Sequence, residues 1–553
     1  MDLNISIDGN ESLKFEKGIS IKDVIKKVNY KTHRNYLSVR INNEIMHLDY
    51  KINKDSQIEL LDIKDKDGFR VYVRTLTFVF IKAAKDIFKD AKTSVEHSLS
   101  KGLYIEIHKK ENITPEDLNL IKKQMNKIIK SDLPIERLVM KTSEANKIFE
   151  EQGMKDKLQL AKYREKDNIH VYKLDGYYDK FYGYLAPSTG YINSFDLKYY
   201  HPGIVLQYPR KEFNYEIPEF EEQNKLAQIF KESERWVKIL ELENVASLNE
   251  KIMNKEIPEI VRISEAFHEK KIANIADKIC DDKKIKIILI AGPSSSGKTT
   301  FAQKLYTQLR INGKRPISLS IDDYFVNRED TPLDEEGNYD FESIEAVDIK
   351  KFNSDLINLL DGKKVDIPKF DFVEGKRAIK IKGFSIEKDQ PIIIEGIHGL
   401  NEKLTNKIPH MYKYKIYISA LTQLNIDNHN RIHTTDNRLI RRIVRDSMYR
   451  GRTAEGTLEL WKSVRRGEER NIFPYQEQAD VMFNSALVYE LAVLRKYAEP
   501  LLQKIDRSSI YFAEAKRLLK FLMYFKIIRN DDIIPSTSIL KEFIGGSAYR
   551  EEE

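Results

Sequence analysis

Residues 291–300 read AGPSSSGKTT, and they decide the fold of the second half of the 553-residue chain. The stretch GPSSSGKT (292–299) has the full spacing of a phosphate-binding loop. Gly292 and Gly297 let the backbone curl so that successive N–H groups face one point, and Ser294, Ser295, Ser296 and Thr300 complete the cradle. Lys298 adds a point charge for phosphate oxygens, and Thr299 supplies a hydroxyl suited to Mg²⁺. A helix starting here turns its positive end to the same point. The flanks agree. IKIILIAG (285–292) is a continuous apolar run of the kind that forms a buried parallel strand, and FAQKLYTQL (301–309) is amphipathic.

Further strands are expected at RPISLSIDD (315–323), QPIIIEGIHG (390–399) and YKIYISA (414–420), with helical stretches between them. That alternation predicts a doubly wound parallel sheet, whose ligand crevice lies at the carboxyl ends of the strands. Asp322 follows one strand and can accept a hydroxyl proton. Glu395 ends another and is placed to hold Mg²⁺, directly or through water. In DNRLIRRIVRDSMYRGRT (436–453), Arg438, Arg442 and Arg445 share one helix face, and Arg450 and Arg452 flank Gly451. Such a stripe is either a solvated basic face or a lid over phosphates.

These motifs together resemble the uridine kinase and phosphoribulokinase family of P-loop kinases, over residues 284 to about 490. The resemblance implies ATP and Mg²⁺ as cofactors. It implies a catalytic base at Asp322 in SIDDYF and a sugar-binding carboxylate at Asp340 in NYDFESIEAVD (338–348). It places an acceptor segment at IPKFDFVEGKR (367–377), with Phe370 and Arg377 as substrate-binding residues. Catalytic Arg442 and Arg445, and nucleotide-binding Arg450 and Arg452, fall in the arginine lid. The family reads a pyrimidine with a tyrosine and a histidine, and here those positions hold Phe370 and Gly375. A phenyl ring can stack on a base but cannot hydrogen-bond to it, so a nucleoside acceptor is expected while uridine is not specified.

The first half reads differently. Residues 1–64 alternate in the strand manner around a helix at SIKDVIKKV (20–28), with a turn at Asn42-Asn43. This resembles the TGS domain, a β-grasp module. Residues 65–215 resemble the second additional domain of threonyl-tRNA synthetases, through GLYIEI (102–107), ITPEDLNLIKKQMNKIIKSDLPIERL (113–138), EANKIFEEQG (144–153) and APSTG (186–190). That domain's editing chemistry needs two histidines, then a cysteine and a histidine. The corresponding positions here hold Arg74, Phe78, Phe181 and Leu185. None of the four can take those roles, so the fold is expected without the hydrolysis. No stretch resembles a class II synthetase catalytic core.

The expected architecture is therefore multidomain α/β and α+β. It comprises a β-grasp module (1–64), an editing-like α+β domain (65–215), a helical connector (216–282), a P-loop kinase-like domain (283–494) and a helical C-terminal extension (495–553). The formal charge of +7, from 93 basic and 86 acidic residues, is too small to argue for nucleic acid by itself. The single cysteine, Cys280, excludes an intrachain disulfide and points to a reducing cytoplasm. Neither a secretory signal nor a membrane span is expected. The leading functional expectation is phosphoryl transfer from ATP to the 5′-hydroxyl of a nucleoside. The alternatives are an RNA-linked regulator that senses ATP, and a related kinase acting on another sugar or alcohol. Residues 1–215 serve either as a tRNA- or RNA-binding module or as a structural or oligomerisation scaffold.

Overall fold

The computed structural model describes residues 2–549 apart from positions 11, 29, 165, 336, 372, 373 and 388. Two residues of the expected acceptor segment, Phe372 and Val373, and the end of the C-terminal extension lie outside the described residues.

The N-terminal module is a five-stranded sheet in which Asp2–Ile7 and Ser56–Leu61 run parallel side by side at the centre. Leu37, Val39 and Ile41 are buried on one face, as their alternation predicts. Asn42 and Asn43 both take positive φ (47° and 62°), which makes the tight hairpin to Glu44–Met46. Helix Ile21–Val28 covers the sheet with Ile21, Val24 and Ile25. This is the β-grasp arrangement.

The next region carries a four-stranded and a three-stranded antiparallel sheet around helix Lys66–Ile87. Asp65 caps that helix, accepting from the N–H groups of Asp67 and Gly68. Helix Pro115–Lys130 starts where Thr114-Pro115 predicts, closed by a reciprocal capping box between Thr114 and Asp117.

The expected connector is three helices, Asn224–Ile239, Val245–Met253 and Ile257–Asp281. They are not a spacer: Val261, Ile272, Ile275 and Ala276 share one apolar core with the P-loop sheet and the C-terminal helices. Helix Glu490–Gln503 runs through the expected division at 494/495, so the extension continues the kinase-like domain without a break. Among the described residues no helix is long and apolar enough to cross a membrane.

The second half is built on five parallel strands. Their spatial order is Ile317–Ser320, Ile392–Glu395, Ile287–Ala291, Lys413–Ser419 and Val481–Asn484. The central strand has all five residues buried. Ser320, Glu395, Ile290 and Ile416 lie in one row across the sheet, so Ser320 and Glu395, the last residues of their strands, end level beside the central strand.

The two halves meet across a buried charge network. Lys157 Nζ lies 2.8 Å from Asp179 Oδ1 and 3.2 Å from Asp427 Oδ1. All three are at most 4% exposed. His429 Nδ1 is 2.7 Å from the second oxygen of Asp179, and Tyr182 donates to Asp427. Burial alone would raise the Asp179 carboxyl, but Lys157 and His429 outweigh it and hold it at about 2. Removing one partner from such a network strands an uncompensated charge, at about 3–5 kcal/mol. Lys157→Met is expected to lower urea stability by about that amount, followed by the fluorescence of Trp236 and Trp461. Adding Asp179→Asn and Asp427→Asn to it should recover most of the loss. A triple variant no more stable than Lys157→Met would locate the effect elsewhere.

Candidate active site

The phosphate loop leaves the central strand at Ala291 and enters helix Lys298–Ile311. Gly292 is fixed by close approach: a β-carbon there would sit 2.0 Å from the carbonyl oxygen of Ile418. Gly297 is fixed by its φ of +83°. Ser295 holds a positive φ of 59° inside the curl. Ser295 and Ser296 are buried, Ser294 is half-buried, and Thr299 is exposed at the first turn of the helix. Lys298 folds back over the loop, with Nζ 3.0 Å from the carbonyl oxygen of Gly292 and 3.3 Å from that of Pro293.

Asp322 sits in the turn Ile321–Tyr324 directly after its strand, its N–H donating to Ser320 Oγ at 3.3 Å. Glu395 is the last residue of the neighbouring strand. Burial raises both carboxyls, and the Glu395 group reaches about 7 although Lys298 opposes the shift. Asp322 adds to the rise at Glu395. Burial lowers the Lys298 ammonium, against the pull of Glu395 and Asp322. These three groups therefore share one poorly solvated space. Glu342 belongs to it too. Burial and Glu468 push its carboxyl up to about 7, while Arg442 and Lys298 oppose. Sequence reading passed over Glu342, two residues beyond Asp340, because nothing local distinguishes it from a loop carboxylate.

The arginine segment is helix Thr434–Tyr449, and its cations are not a solvated face. Arg438 Nε donates to the carbonyl oxygen of Ser294 at 3.0 Å and pairs with buried Glu468. Arg441 donates to the carbonyl oxygen of Ser295 at 3.3 Å and pairs with buried Glu490. Glu468 also accepts the N–H of Ser294 at 3.1 Å. Arg442 donates to Ser294 Oγ at 2.6 Å. Arg445 pairs with Asp446 at 2.8 Å, and Arg450 lies 3.7 Å from the same carboxylate with most of its side chain open to solvent. Arg452 is half-buried just past Gly451, whose φ is +57°.

The acceptor residues are less converged. Asp340 uses a carboxylate oxygen to accept the N–H of Glu342 at 3.1 Å, which shapes its own turn. Phe370 is 3% exposed, with its ring edge-to-face against Phe325, 5.7 Å between centroids. Its strand, Val365–Asp371, turns that ring into the apolar core beneath a hairpin. Arg377 is held by Asp348 at 3.0 Å. Gly375 has φ +72°, and a β-carbon there would lie 2.7 Å from the Arg328 side chain, so a side chain at this position would be strained.

Residues 287–492 match the family model described as Phosphoribulokinase / Uridine kinase family. The N-terminal region is homologous to threonine–tRNA ligases. One from Caldanaerobacter subterraneus subsp. tengcongensis is 31% identical over 35% of this chain and 30% of its own length. Another from Carboxydothermus hydrogenoformans is 31% identical over 35% of this chain and 31% of its own length. The chain thus spans about a third of the length of these curated relatives. A solved structure described as a possible uridine kinase from Bacillus stearothermophilus is 19% identical, covering 36% of this chain and 89% of the other, with a TM-score of 0.24.

The kinase-family domain carries a neighbour that sequence reading missed. The C-terminal segment returns to the phosphate loop. Ile539, fully buried, touches Gly297: a β-carbon on that glycine would lie 2.5 Å from its methyl group. Glu542 accepts from both the N–H (3.2 Å) and the hydroxyl (2.7 Å) of Thr300. A carboxylate thus occupies donors at the positive end of the loop helix, where an anionic phosphate would be drawn. No sequence signal marks Glu542, since its partner is 242 residues away.

In the N-terminal half, Phe78, Phe181 and Leu185 come together in one apolar cluster, the two phenylalanine rings 5.1 Å apart. Arg74 lies beside it, donating to the carbonyl oxygen of Tyr184. The four positions expected to have lost editing chemistry are brought to one place and filled by packing.

Glu542→Gln removes a negative charge from the phosphate loop while keeping an acceptor for Thr300. It is expected to tighten MgADP binding by roughly tenfold in a titration of the full chain. Unchanged or weaker binding would mean that Glu542 does not compete with phosphate.

Proposed function

We propose that the second half of the chain is an ATP-dependent kinase that phosphorylates the 5′-hydroxyl of a nucleoside. The observation that carries this reading is the convergence of Lys298, Asp322, Glu395 and Arg442 on one phosphate loop at the carboxyl edge of a parallel sheet. A phosphate-binding sensor needs the loop; it does not need a buried carboxylate beside it as proton acceptor. The RNA-linked, ATP-sensing alternative leaves Asp322 without a task.

In this reading the loop N–H groups and Lys298 hold the β- and γ-phosphates. Asp322 orients the acceptor hydroxyl and takes its proton as the oxygen bonds to the γ-phosphorus and the bond to the β,γ-bridging oxygen breaks. The burial that raises the Asp322 carboxyl also makes it a better base once it is deprotonated. Arg442 and Arg445 balance charge on the transferring group, and Arg450 and Arg452, on either side of a glycine turn, close over the nucleotide. Glu395 and Thr299 fit a divalent cation: a buried carboxylate pushed up to about 7 beside other acids is a group that a cation would relieve. Bound Mg²⁺ supplies charge neutralisation at the phosphate oxygens. Catalysis of this kind is mostly positioning and charge stabilisation.

One observation favours a second acceptor class. Phe370 is buried and Gly375 cannot accommodate a side chain without strain, so neither polar reader of a pyrimidine is present at those positions. Another sugar or alcohol could therefore be the acceptor at the same catalytic centre.

Product formation from ATP against a panel of nucleosides, sugar phosphates and simple alcohols tests the reading. Wild type is expected to phosphorylate at least one nucleoside. Asp322→Asn is expected to lose about 10²-fold or more in turnover while keeping ATP binding. Undiminished turnover in that variant would overturn the assignment of the base, and transfer only to non-nucleosides would select the second acceptor class.

A further inference from the structure

A cavity of about 1660 Å³ lies between the N-terminal half and the kinase-family domain. Its walls come from the β-grasp module, the editing-like domain and the C-terminal helix Phe512–Leu522. At one end Arg137, Arg164, Lys166, Lys180 and Lys520 gather around His170. Among the described residues none of these five cations has a carboxylate within 4 Å. Arg164 donates to the backbone carbonyls of Lys166 and Asn168. The Arg137 guanidinium lies 5.5 Å from the Tyr184 ring. Lys180 lies 5.0 Å from the ring of Tyr182 and 5.3 Å from that of Tyr524.

Elsewhere along the boundary several buried cations are neutralised, although Arg74 and Arg431 bond only a backbone carbonyl and His433 respectively. Arg70 pairs with Glu514 at 2.8 Å, Arg517 with Asp436 at 2.7 Å, and Lys157 with two aspartates. The unneutralised cations bear on one another. Burial and then Arg164 lower the Lys180 ammonium to about 7, and burial and then Lys516 lower that of Lys520. Burial holds His170 at about 4, with Arg137, Arg164, Lys520 and Lys180 all contributing. Arg137, Arg164 and Lys180 are half-buried, whereas Lys166, Lys520 and His170 are exposed at the rim, and like charges held this close repel. A ligand with several negative charges would relieve that repulsion. The three tyrosines at the same end present aromatic faces beside the cations, which suits a base next to phosphates.

We propose that the basic end of this cavity is a second binding site, separate from the phosphate loop, for a free nucleotide carrying two or three phosphates. Two or three phosphates match the number of cations better than one does. The site is assembled from residues about 380 positions apart in sequence, so occupancy would clamp the two halves together. The C-terminal helix that supplies Lys520 also carries Arg517, whose bidentate bond to Asp436 holds the first turn of the arginine helix. An occupant would therefore bear on the catalytic domain through that helix.

The test is calorimetric titration of the full chain with ATP, GTP and UTP. Wild type is expected to take up two equivalents of at least one of them. Lys298→Ala is expected to retain one. Lys180→Gln/Lys520→Gln is expected to retain the phosphate-loop equivalent and weaken the other at least tenfold. Because it relieves repulsion, the double variant should unfold at the same or a higher temperature than wild type without ligand. A single equivalent that Lys298→Ala abolishes, for all three nucleotides, would overturn the proposal. So would a double variant that binds like wild type, or one that melts well below it, since the lysines would then be structural. Protection of this end by a tRNA-length RNA and by none of the nucleotides would assign it to a macromolecule and overturn it as well. Failure of this site leaves the Lys298-dependent equivalent, and with it the kinase reading, untouched.

Discussion

A phosphate loop that turns its N–H groups inward must turn carbonyl oxygens outward, and those oxygens need donors. In this protein two arginines from one helix supply them. Arg438 takes the carbonyl of Ser294 and Arg441 that of Ser295. Both guanidiniums are essentially inaccessible, so each requires a buried acid, Glu468 and Glu490 respectively. Glu468 in turn receives the N–H of Ser294. The loop is thus clamped on its outer side by charge-assisted hydrogen bonds, which are stronger than neutral ones. On the other side Glu542 holds the Thr300 donors that an anion would draw on. Arg442, one residue on, reaches the Ser294 hydroxyl from the same helix. One helix therefore sets the shape of the cradle and supplies cations to its rim, and whatever positions that helix positions the site.

The helix is positioned by the C-terminal extension and, through it, by the N-terminal half. Its first turn holds Asp436, bound on both oxygens by Arg517. Arg517 also bonds Glu514, and Glu514 receives Arg70 from the long helix of the N-terminal half. Both arginines of this relay have a carboxylate, and the groups are poorly solvated, so a change at one member is felt at the next. The Lys157 network pins the boundary at a second point. Two pinned points fix the relative orientation of the halves. The N-terminal region is consequently part of the framework of the phosphate-loop domain rather than a tethered appendage.

Much of this was legible in the sequence, for identifiable reasons. The apolar run at 285–291 is continuous because its strand is covered on both faces, and Thr114-Pro115 carries its own capping chemistry. Asp322 and Glu395 follow from a rule of sheet topology. What escaped is non-local. Glu468, Glu490 and Glu542 take their meaning from partners far along the chain. Phe370 was named from the resemblance of its segment, which does not say that its ring lies in the core. The arginine stripe divides for a similar reason. Its spacing places several cations on one side of a helix, but only packing separates the two that are buried as clamps from those that reach the rim.

The N-terminal half combines two ways of filling space at a domain boundary. Phe78, Phe181 and Leu185 form an apolar cluster, which stabilises through burial and needs no ligand. Had the whole region relaxed to scaffold, the cations around His170 would be expected to have acquired acids, as those at Arg70, Lys157 and Arg517 have. They have not, although the same boundary supplies glutamates and aspartates a few side chains away. Apolar filling at one end and unneutralised charge at the other are opposite solutions within one domain. A core that is merely structural has reason to adopt the first, and a cavity that receives an anion has reason to keep the second.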